Sequence, residues 1–441
     1  MQVAIVTLGC AKNVVDSEVM QGIIEDKGHS LTDPENADFI IVNTCGFIEA
    51  AKEESINKIL ELVRLKEQDP AKKIILAGCL AQKYSDELWR HIPELDAVLG
   101  PGRIAEVLEV LEQVAGGERV RRVGFPEVWS EKSWKRNVFM PRSTAYLKIA
   151  EGCSNHCSYC VIPQMRGNYR SRPVESILDE ARRLAANGTK EIVLIAQDTT
   201  RYGVDLYGRF YLAELLRELV RIPDISWVRL LYCYPAHFTD ELIAVMAEES
   251  KICKYVDLPL QHADPDILRK MNRKGSVEEI YRLIQKLRTY IPNITLRSTF
   301  IVGFPGETEA QFSRLLSFLE EMRFDWVGAF TYSQEEGTPA ARMRGQIPAR
   351  IKDARYHRLM LLQREITREC NSHCLGKIMS VLIEGKSEDD PELFFGRTER
   401  QAPEVDGIVY VRSRDLKIGE FYPVRITSVV DDYDLLGEIV K

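Results

Sequence analysis

The segment Ala145–Cys160, AYLKIAEGCSNHCSYC, places three cysteines in the spacing C-x3-C-x2-C: Cys153, Cys157 and Cys160. A structural zinc takes four ligands and a disulfide takes two, so three thiols suit neither. Thiolates are soft ligands for zinc or for iron–sulfur clusters. Three of them on a four-iron cluster leave one iron without a protein ligand, an open position where a substrate or cofactor binds. The competing reading is a zinc site completed by His156, which its place inside the loop makes an awkward fourth ligand. Three further cysteines, Cys10, Cys45 and Cys79, close the strand-like runs VTLGC, VNTC and LAGC. Parallel strands of one sheet would bring these ends to one edge, so the three thiols would meet there in a second metal site, again with one iron open. Asn13 and Asn43 stand near enough either to bond cluster sulfurs or to cap loops. Cys233, Cys253, Cys370 and Cys374 fit neither set, although Cys370 and Cys374 are spaced i, i+4 on a helical pattern.

The elements that must position these thiols follow from periodicity. The chain has 441 residues, too many for one ordinary core. No apolar run reaches the roughly 18 residues of a membrane span. The start, MQVAIVTLGCAKN, reads as a strand rather than a leader, so a cytoplasmic protein is expected. Ten cysteines in such a chain suggest metal binding or chemistry rather than disulfides. A net charge of −7 argues against a surface built wholly for nucleic acid and suits a basic partner. The expected fold is multidomain α/β. Residues 1–125 alternate near-continuously apolar strands with helical patterns, as a parallel sheet covered on both faces requires. Residues 126–143 are polar and aperiodic, and read as a surface linker. Residues 144–374 hold six strand–helix repeats, too few for a closed eight-stranded barrel but suited to a partial, open (βα)6 TIM-like one with its site at the C-terminal strand ends. A long charged helix runs from about Ala349 to Leu375. Residues 375–441 contain IMSVLIEG, GIVYVRS and FYPVRITSVV, the signature of a small OB-like β-barrel.

The triad Cys153, Cys157 and Cys160, with Tyr159 before the last cysteine and at the end of the first barrel strand, resembles the radical S-adenosylmethionine (SAM) superfamily. That resemblance implies that the open iron chelates the amino and carboxylate groups of SAM and that the reduced cluster cleaves it to a 5′-deoxyadenosyl radical. It also implies SAM contacts from Tyr159, from Gln197 in AQDTTRYG, and from Gly303 and Gly306 in IVGFPGETE. Glycines there would let backbone approach a ligand closely; a plain turn with Glu307 or Thr308 at a helix start is the alternative. LPLQHA places Gln261 and His262 at another strand end, where His262 is either functional or structural. Two three-cysteine sets, a partial barrel and a terminal β-barrel together resemble the methylthiotransferase family over essentially the whole chain, the tail being similar to its TRAM domain. The implied cofactors are two [4Fe-4S] clusters and SAM, with no catalytic residue beyond the cluster ligands. The implied reaction inserts sulfur and then a methyl group into an unactivated C–H bond, with one SAM as radical source and another as methyl donor. No side chain usefully deprotonates such a bond at neutral pH, so cofactors must carry the hard step.

The family has two branches. LGCAKNVVDSE, with Ala11-Lys12-Asn13 where the tRNA branch has Gln-Met-Asn, resembles the ribosomal-protein branch, the RimO type. KIAEGCSNHCSYCVIPQMRGNYRSRP resembles it as well, and LPLQHADPDILRKMNRKG departs only at Asp264. The implied substrate is the β-carbon of an aspartate in small-subunit ribosomal protein twelve, free or on the ribosome. An electron donor is also implied, with the enzyme acting as a monomer and without a membrane. The tail from Lys377 onward holds nine Lys/Arg against fourteen Asp/Glu, a net of −5. A tail built to grip tRNA phosphates should be basic; an acidic one suits a basic protein. EGKSEDDPELF concentrates that charge, unless it is only a solvated loop. RGNYRSRP, after the cysteine loop, would bind SAM or substrate, or merely start a helix. A tRNA adenosine methylthiotransferase is the nearest competing reading; a non-catalytic iron–sulfur regulator of ribosomes is the competitor of another class.

Overall fold

The computed structural model describes residues 1–125, 136, 138 and 143–440. Most of the expected linker, 126–143, lies outside the described residues. The chain divides into two compact units: Met1–Phe139 with Lys148–Glu180 and Glu335–Thr338, and Met140–Leu147 with Ala181–Gln334 and Pro339–Lys441. All six candidate cluster cysteines fall in the first.

The first unit is built on a six-stranded, all-parallel sheet. Its strands are β1 (Gln2–Thr7), β2 (Ser30–Leu31), β3 (Phe39–Thr44), β4 (Lys73–Gly78), β5 (Ala97–Leu99) and β6 (Val120–Arg122), in the order β2-β1-β3-β4-β5-β6. Register pairs Ile40 with Ile74 and Ile41 with Ile75. Because side chains alternate along a strand, Ile40, Val42, Ile74 and Leu76 meet Ile59, Leu62 and Val63 of helix Glu49–Gln68 on one face. Ile41, Ile75 and Ala77 meet Met20 and Ile24 of helix Ala11–Asp26, and Val107, Val110 and Leu111 of helix Val107–Ala115, on the other. Burial on both faces is why these strands read as unbroken apolar runs. In the same unit the cysteine loop leaves β8 (Ala150–Glu151) and returns through β9 (Arg170–Ser171), two residues paired antiparallel. It follows β7 (Thr144–Lys148), whose last residue opens this segment of the unit.

The second unit holds the rest of the barrel core: β10 (Glu191–Ile195), β11 (Trp227–Leu230), β12 (Tyr255–Gln261), β13 (Thr295–Val302) and β14 (Trp326–Thr331). With β7 they form six strands in two three-stranded sheets, β11-β10-β7 and β12-β13-β14. A single parallel bridge, Val228 to Ile252, lies beside the break. The array is thus open, as six repeats require. Helix Ala349–Ser372 leads to β15 (Ile378–Lys386), β16 (Leu393–Arg397), β17 (Val409–Arg412), β18 (Phe421–Val430) and β19 (Asp434–Ile439), which close in the order β15-β16-β17-β19-β18 around Val381, Ile383, Val409, Val411, Val424 and Leu435.

Candidate metal centres

Cys10, Cys45 and Cys79 follow the C-terminal ends of β1, β3 and β4, which are consecutive neighbours in the sheet. Each is flanked by glycine for a steric reason. A Cβ on Gly9 would lie 2.6 Å from the Cβ of Cys45 and 3.2 Å from its sulfur. A Cβ on Gly78 would meet Asn43 Oδ1 at 2.4 Å and the Thr44 carbonyl at 2.5 Å. The cradle around the Cys45 sulfur therefore exists only because position 9 has no side chain. Gly78 adopts φ 94°, ψ −160°, a region that is essentially glycine-only.

The three thiols feel one another. Burial pushes the Cys79 thiol up to about 12; Arg166 opposes this, and Cys10 and Cys45 add to it. Burial also raises Cys45, against backbone N–H groups of Phe47 and Gly46 and the charge of Arg166. Metal binding displaces such protons, because the ligand form is the thiolate. Cys10 is exposed, Cys45 half-buried and Cys79 buried, and none of the ten cysteines is in a disulfide. The donor set, three free thiols on one sheet edge around a glycine cradle, fits a cluster bound through three sulfurs. Among the described residues no group of three His, Cys, Asp or Glu side chains is drawn together as a single metal ion requires; a four-iron cluster holds its ligands farther apart than one zinc does.

Asn13 and Asn43 are staples rather than donors to sulfur. Asn13 Nδ2 donates to the carbonyls of Leu8 (2.7 Å) and Thr44 (3.1 Å), and Asn43 Nδ2 to Asn13 O and Ser17 Oγ, both at 2.9 Å. They tie the β1 and β3 ends together and so fix the spacing of Cys10 and Cys45.

Cys153, Cys157 and Cys160 are half-buried in the loop between β8 and β9. The loop closes because Gly152, at φ +79°, allows an approach in which a Cβ would meet Asn168 O at 2.1 Å. Cys153 N donates to Gly167 O (3.0 Å), and Cys160 Sγ accepts from Ile162 N (3.5 Å). His156 is exposed with left-handed backbone.

Arg166 is the residue that the sequence did not reveal. It ends the helix Ile162–Arg166 and is 1% exposed. Its Nε donates to Cys79 Sγ at 3.2 Å. Nη1 donates to Asp16 Oδ2 (2.8 Å) and to both oxygens of Glu151 (3.1 Å), and Nη2 to Asn13 Oδ1 (2.6 Å). Lys148 donates to Glu151 Oε2 (2.7 Å) and to Asp16. Burial would raise the Glu151 carboxyl, but Arg166 and Lys148 outweigh it and hold it well below the usual range. Arg166 is thus neither a SAM nor a solvent-facing group; the stretch RGNYRSRP runs from the end of the helix Ile162–Arg166 to the start of the helix Val174–Ala186, so its expected place before a helix holds.

Of the expected SAM contacts, Tyr159 is half-buried in the cysteine loop and Gln197 follows the end of β10, also half-buried. Gly303 and Gly306 have φ of +73° and +76°. The turn has internal work as well: Gly303 N and Phe304 N donate to Glu307 Oε2 at 2.7 and 3.2 Å, and Arg355 Nη1 donates to Glu307 Oε1 at 2.9 Å. A Cβ on Gly303 would meet the Lys352 stem at 2.4 Å. His262 is fully buried; its Nδ1 accepts from Asp264 N at 2.9 Å, which leaves the proton on Nε2, 3.7 Å from Glu307. The histidine is thus anchored by one ring nitrogen, while Nε2 is buried without a hydrogen-bond partner among the described residues. Cys374 lies past the end of the long helix in the β-barrel core, so the i, i+4 pairing with Cys370 is not realised on one helix face. In EGKSEDDPELF, Glu384, Asp390 and Glu392 pair with Arg397, Arg412 and Arg414, so part of the acidic charge is matched locally.

The comparisons agree with this architecture. The radical SAM superfamily matches residues 147–319, the Uncharacterized protein family UPF0004 residues 2–100, and the TRAM domain residues 375–440. Among solved structures, the radical SAM methyltransferase TsrM from Kitasatospora setae superposes with a TM-score of 0.56 at 17% identity, over 77% of this chain and 73% of that one. The radical enzyme OxsB gives 0.51 at 12%, over 82% and 56%. These likenesses establish the fold. The radical SAM match and the relatives that cover the full chain give the class: a radical SAM methylthiotransferase. Relatives over the full chain are closer. The ribosomal protein uS12 methylthiotransferase RimO of Heliobacterium modesticaldum is 51% identical over all of this chain and 95% of its own length. That of Desulforamulus reducens is 52% identical over all of this chain and 99% of its own. The chain belongs to the family of ribosomal protein uS12 methylthiotransferases, RimO.

Proposed function

We propose that this chain adds a methylthio group to the β-carbon of an aspartate in ribosomal protein uS12, with Cys153, Cys157 and Cys160 holding one [4Fe-4S] cluster and Cys10, Cys45 and Cys79 the other. The observation that supports this most is the second set: three cysteines 34 or more residues apart, at the ends of adjacent strands, around a cradle that a Cβ would fill. When bound, the clusters and SAM supply one-electron chemistry strong enough to break an unactivated C–H bond, and the sulfur and methyl that replace the hydrogen. The chain's own residues position and insulate. Gly9 and Gly78 let the strand ends close on Cys45, the Asn13 and Asn43 amides lock those ends, and Gly152 folds the first cysteine loop onto Asn168. Tyr159, Gln197, Gly303 and Gly306 are assigned to SAM; because the Gly303 amide is taken by Glu307, its contribution is close backbone approach rather than an N–H.

The domains on this reading are 1–125 for the second cluster, 144–374 for the radical SAM core after a linker at 126–143, and 375–441 for the TRAM barrel. The partner is the basic ribosomal protein, free or on the ribosome, with an external electron donor. The enzyme is a cytoplasmic monomer; no described helix is long and apolar enough to cross a membrane. The test is mass analysis of uS12 and of tRNA from cells with and without the gene. A uS12 peptide lighter by one methylthio group in the deletion is expected. Loss from tRNA with uS12 unchanged would overturn the substrate assignment.

A further inference from the structure

We propose that Arg166 is a positioning residue that sets the reduction potential of the cluster on Cys10, Cys45 and Cys79, by holding one N–H donor and a positive charge against the Cys79 sulfur. This rests on the second-cluster reading above. The arginine is not placed there by chance packing alone. Four acceptors fix its plane: Cys79, Asp16, Glu151 and Asn13. Asp16 comes from the helix that follows Cys10, and Glu151 from β8, which leads into the other cysteine loop. The helix that carries Arg166 starts at Ile162, whose amide donates to Cys160 Sγ. One five-residue helix therefore touches a sulfur of each set, its first amide on Cys160 and its last side chain on Cys79.

Hydrogen bonds to ligand sulfurs and local charge are levers on cluster potential. Reduction adds one negative charge to the cluster. A cation with an N–H on a ligand sulfur stabilises that form and raises the potential. A carboxylate beside it acts in the opposite sense. Burial keeps both effects from being screened by water. The charge at Arg166 is permanent, since a guanidinium does not deprotonate in proteins.

The test uses the full chain with Cys153, Cys157 and Cys160 replaced by alanine, so that only the second cluster assembles. Iron and sulfide are counted, and the cluster is titrated under an oxygen-free atmosphere with electron paramagnetic resonance as readout. In this background Arg166→Gln is expected to lower the reduced-to-oxidised ratio at the parent midpoint at least about tenfold, which is 59 mV for one electron. Glu151→Gln is expected to move the midpoint the other way. If Arg166→Gln loses its iron, Glu151→Gln decides alone: an upward shift supports the inference and an unmoved midpoint overturns it. Unchanged midpoints in variants that keep their iron, or shifts of the same sign in both, overturn it as well. A merely structural arginine would alter iron retention and leave the midpoint where it was. Should the parent background itself take up no iron, the second-cluster reading fails, and the inference with it.

Discussion

Replacing Cys45 by alanine removes one sulfur from the sheet edge and leaves the loop Cys153–Cys160 intact. A Cys45→Ala protein should keep about one four-iron cluster, still release 5′-deoxyadenosine from SAM, and form no methylthiolated uS12. Cys157→Ala should release no 5′-deoxyadenosine at all. Chromatography of the nucleoside and mass analysis of the substrate peptide check both. Full product formation by Cys45→Ala would remove the role of the second set. At this scale the thiols were legible, because ligand type and spacing survive in the bare sequence. Arg166 was not. It stands in a basic run that looks like substrate- or solvent-facing charge, and its buried partners Asp16 and Asn13 lie 150 and 153 residues away. His262 was ambiguous in sequence for a related reason: only the fold shows its Nδ1 committed to a backbone amide.

Elements carry those residues to their places, and glycine does much of that work. Gly78→Ala forces a side chain into a glycine-only backbone region, at a cost of about 1–3 kcal/mol, and puts a methyl against Asn43 and Thr44. The variant is expected to unfold at lower urea concentration and to retain less iron than the parent, with the loss confined to the cluster on Cys10, Cys45 and Cys79. A Gly78→Ala protein with parental iron content would contradict the cradle. The long charged helix expected from about Ala349 to Leu375 is Ala349–Ser372 in the structure: its start was readable from the spacing and its end was not. The strands β16 and β19 were not singled out. Each has a glycine inside it, Gly396 and Gly437, where a Cβ would meet the neighbouring strand at 2.1 and 2.4 Å. Barrel closure demands that close approach, and it interrupts the alternating pattern by which a strand is recognised.

At the scale of the whole second unit, a buried charge cluster ties the barrel core to the terminal β-barrel. Glu191, at the start of β10, accepts from Arg229 of β11 (2.7 Å) and Arg397 of β16 (2.6 Å), and Arg397 also reaches Glu384 of β15. Burial alone would raise the Glu191 carboxyl, but Arg397 and Arg229 hold it at about 2. Its folded pKa is below the unfolded value of about 4.3. The stability it contributes is therefore complete above about pH 4.3 and is lost as the pH falls through about 2. Its size is on the order of 3 kcal/mol. Glu191→Gln should flatten the acid limb of the stability profile, and at neutral pH cost about 3–5 kcal/mol by stranding two buried guanidinium groups. Urea titrations at several pH values measure both. Sequence showed the terminal barrel but not this anchorage, because Glu191 and Arg397 are 206 residues apart. The measurement that reaches the central claim most directly is the iron and acid-labile sulfide content after oxygen-free reconstitution, for the parent and for the two triple Cys→Ala chains. About eight irons and about eight sulfides per parent chain are expected, and about four of each in either triple variant. Zinc in place of iron, or about four irons in the parent with no loss when Cys10, Cys45 and Cys79 are removed, would contradict it.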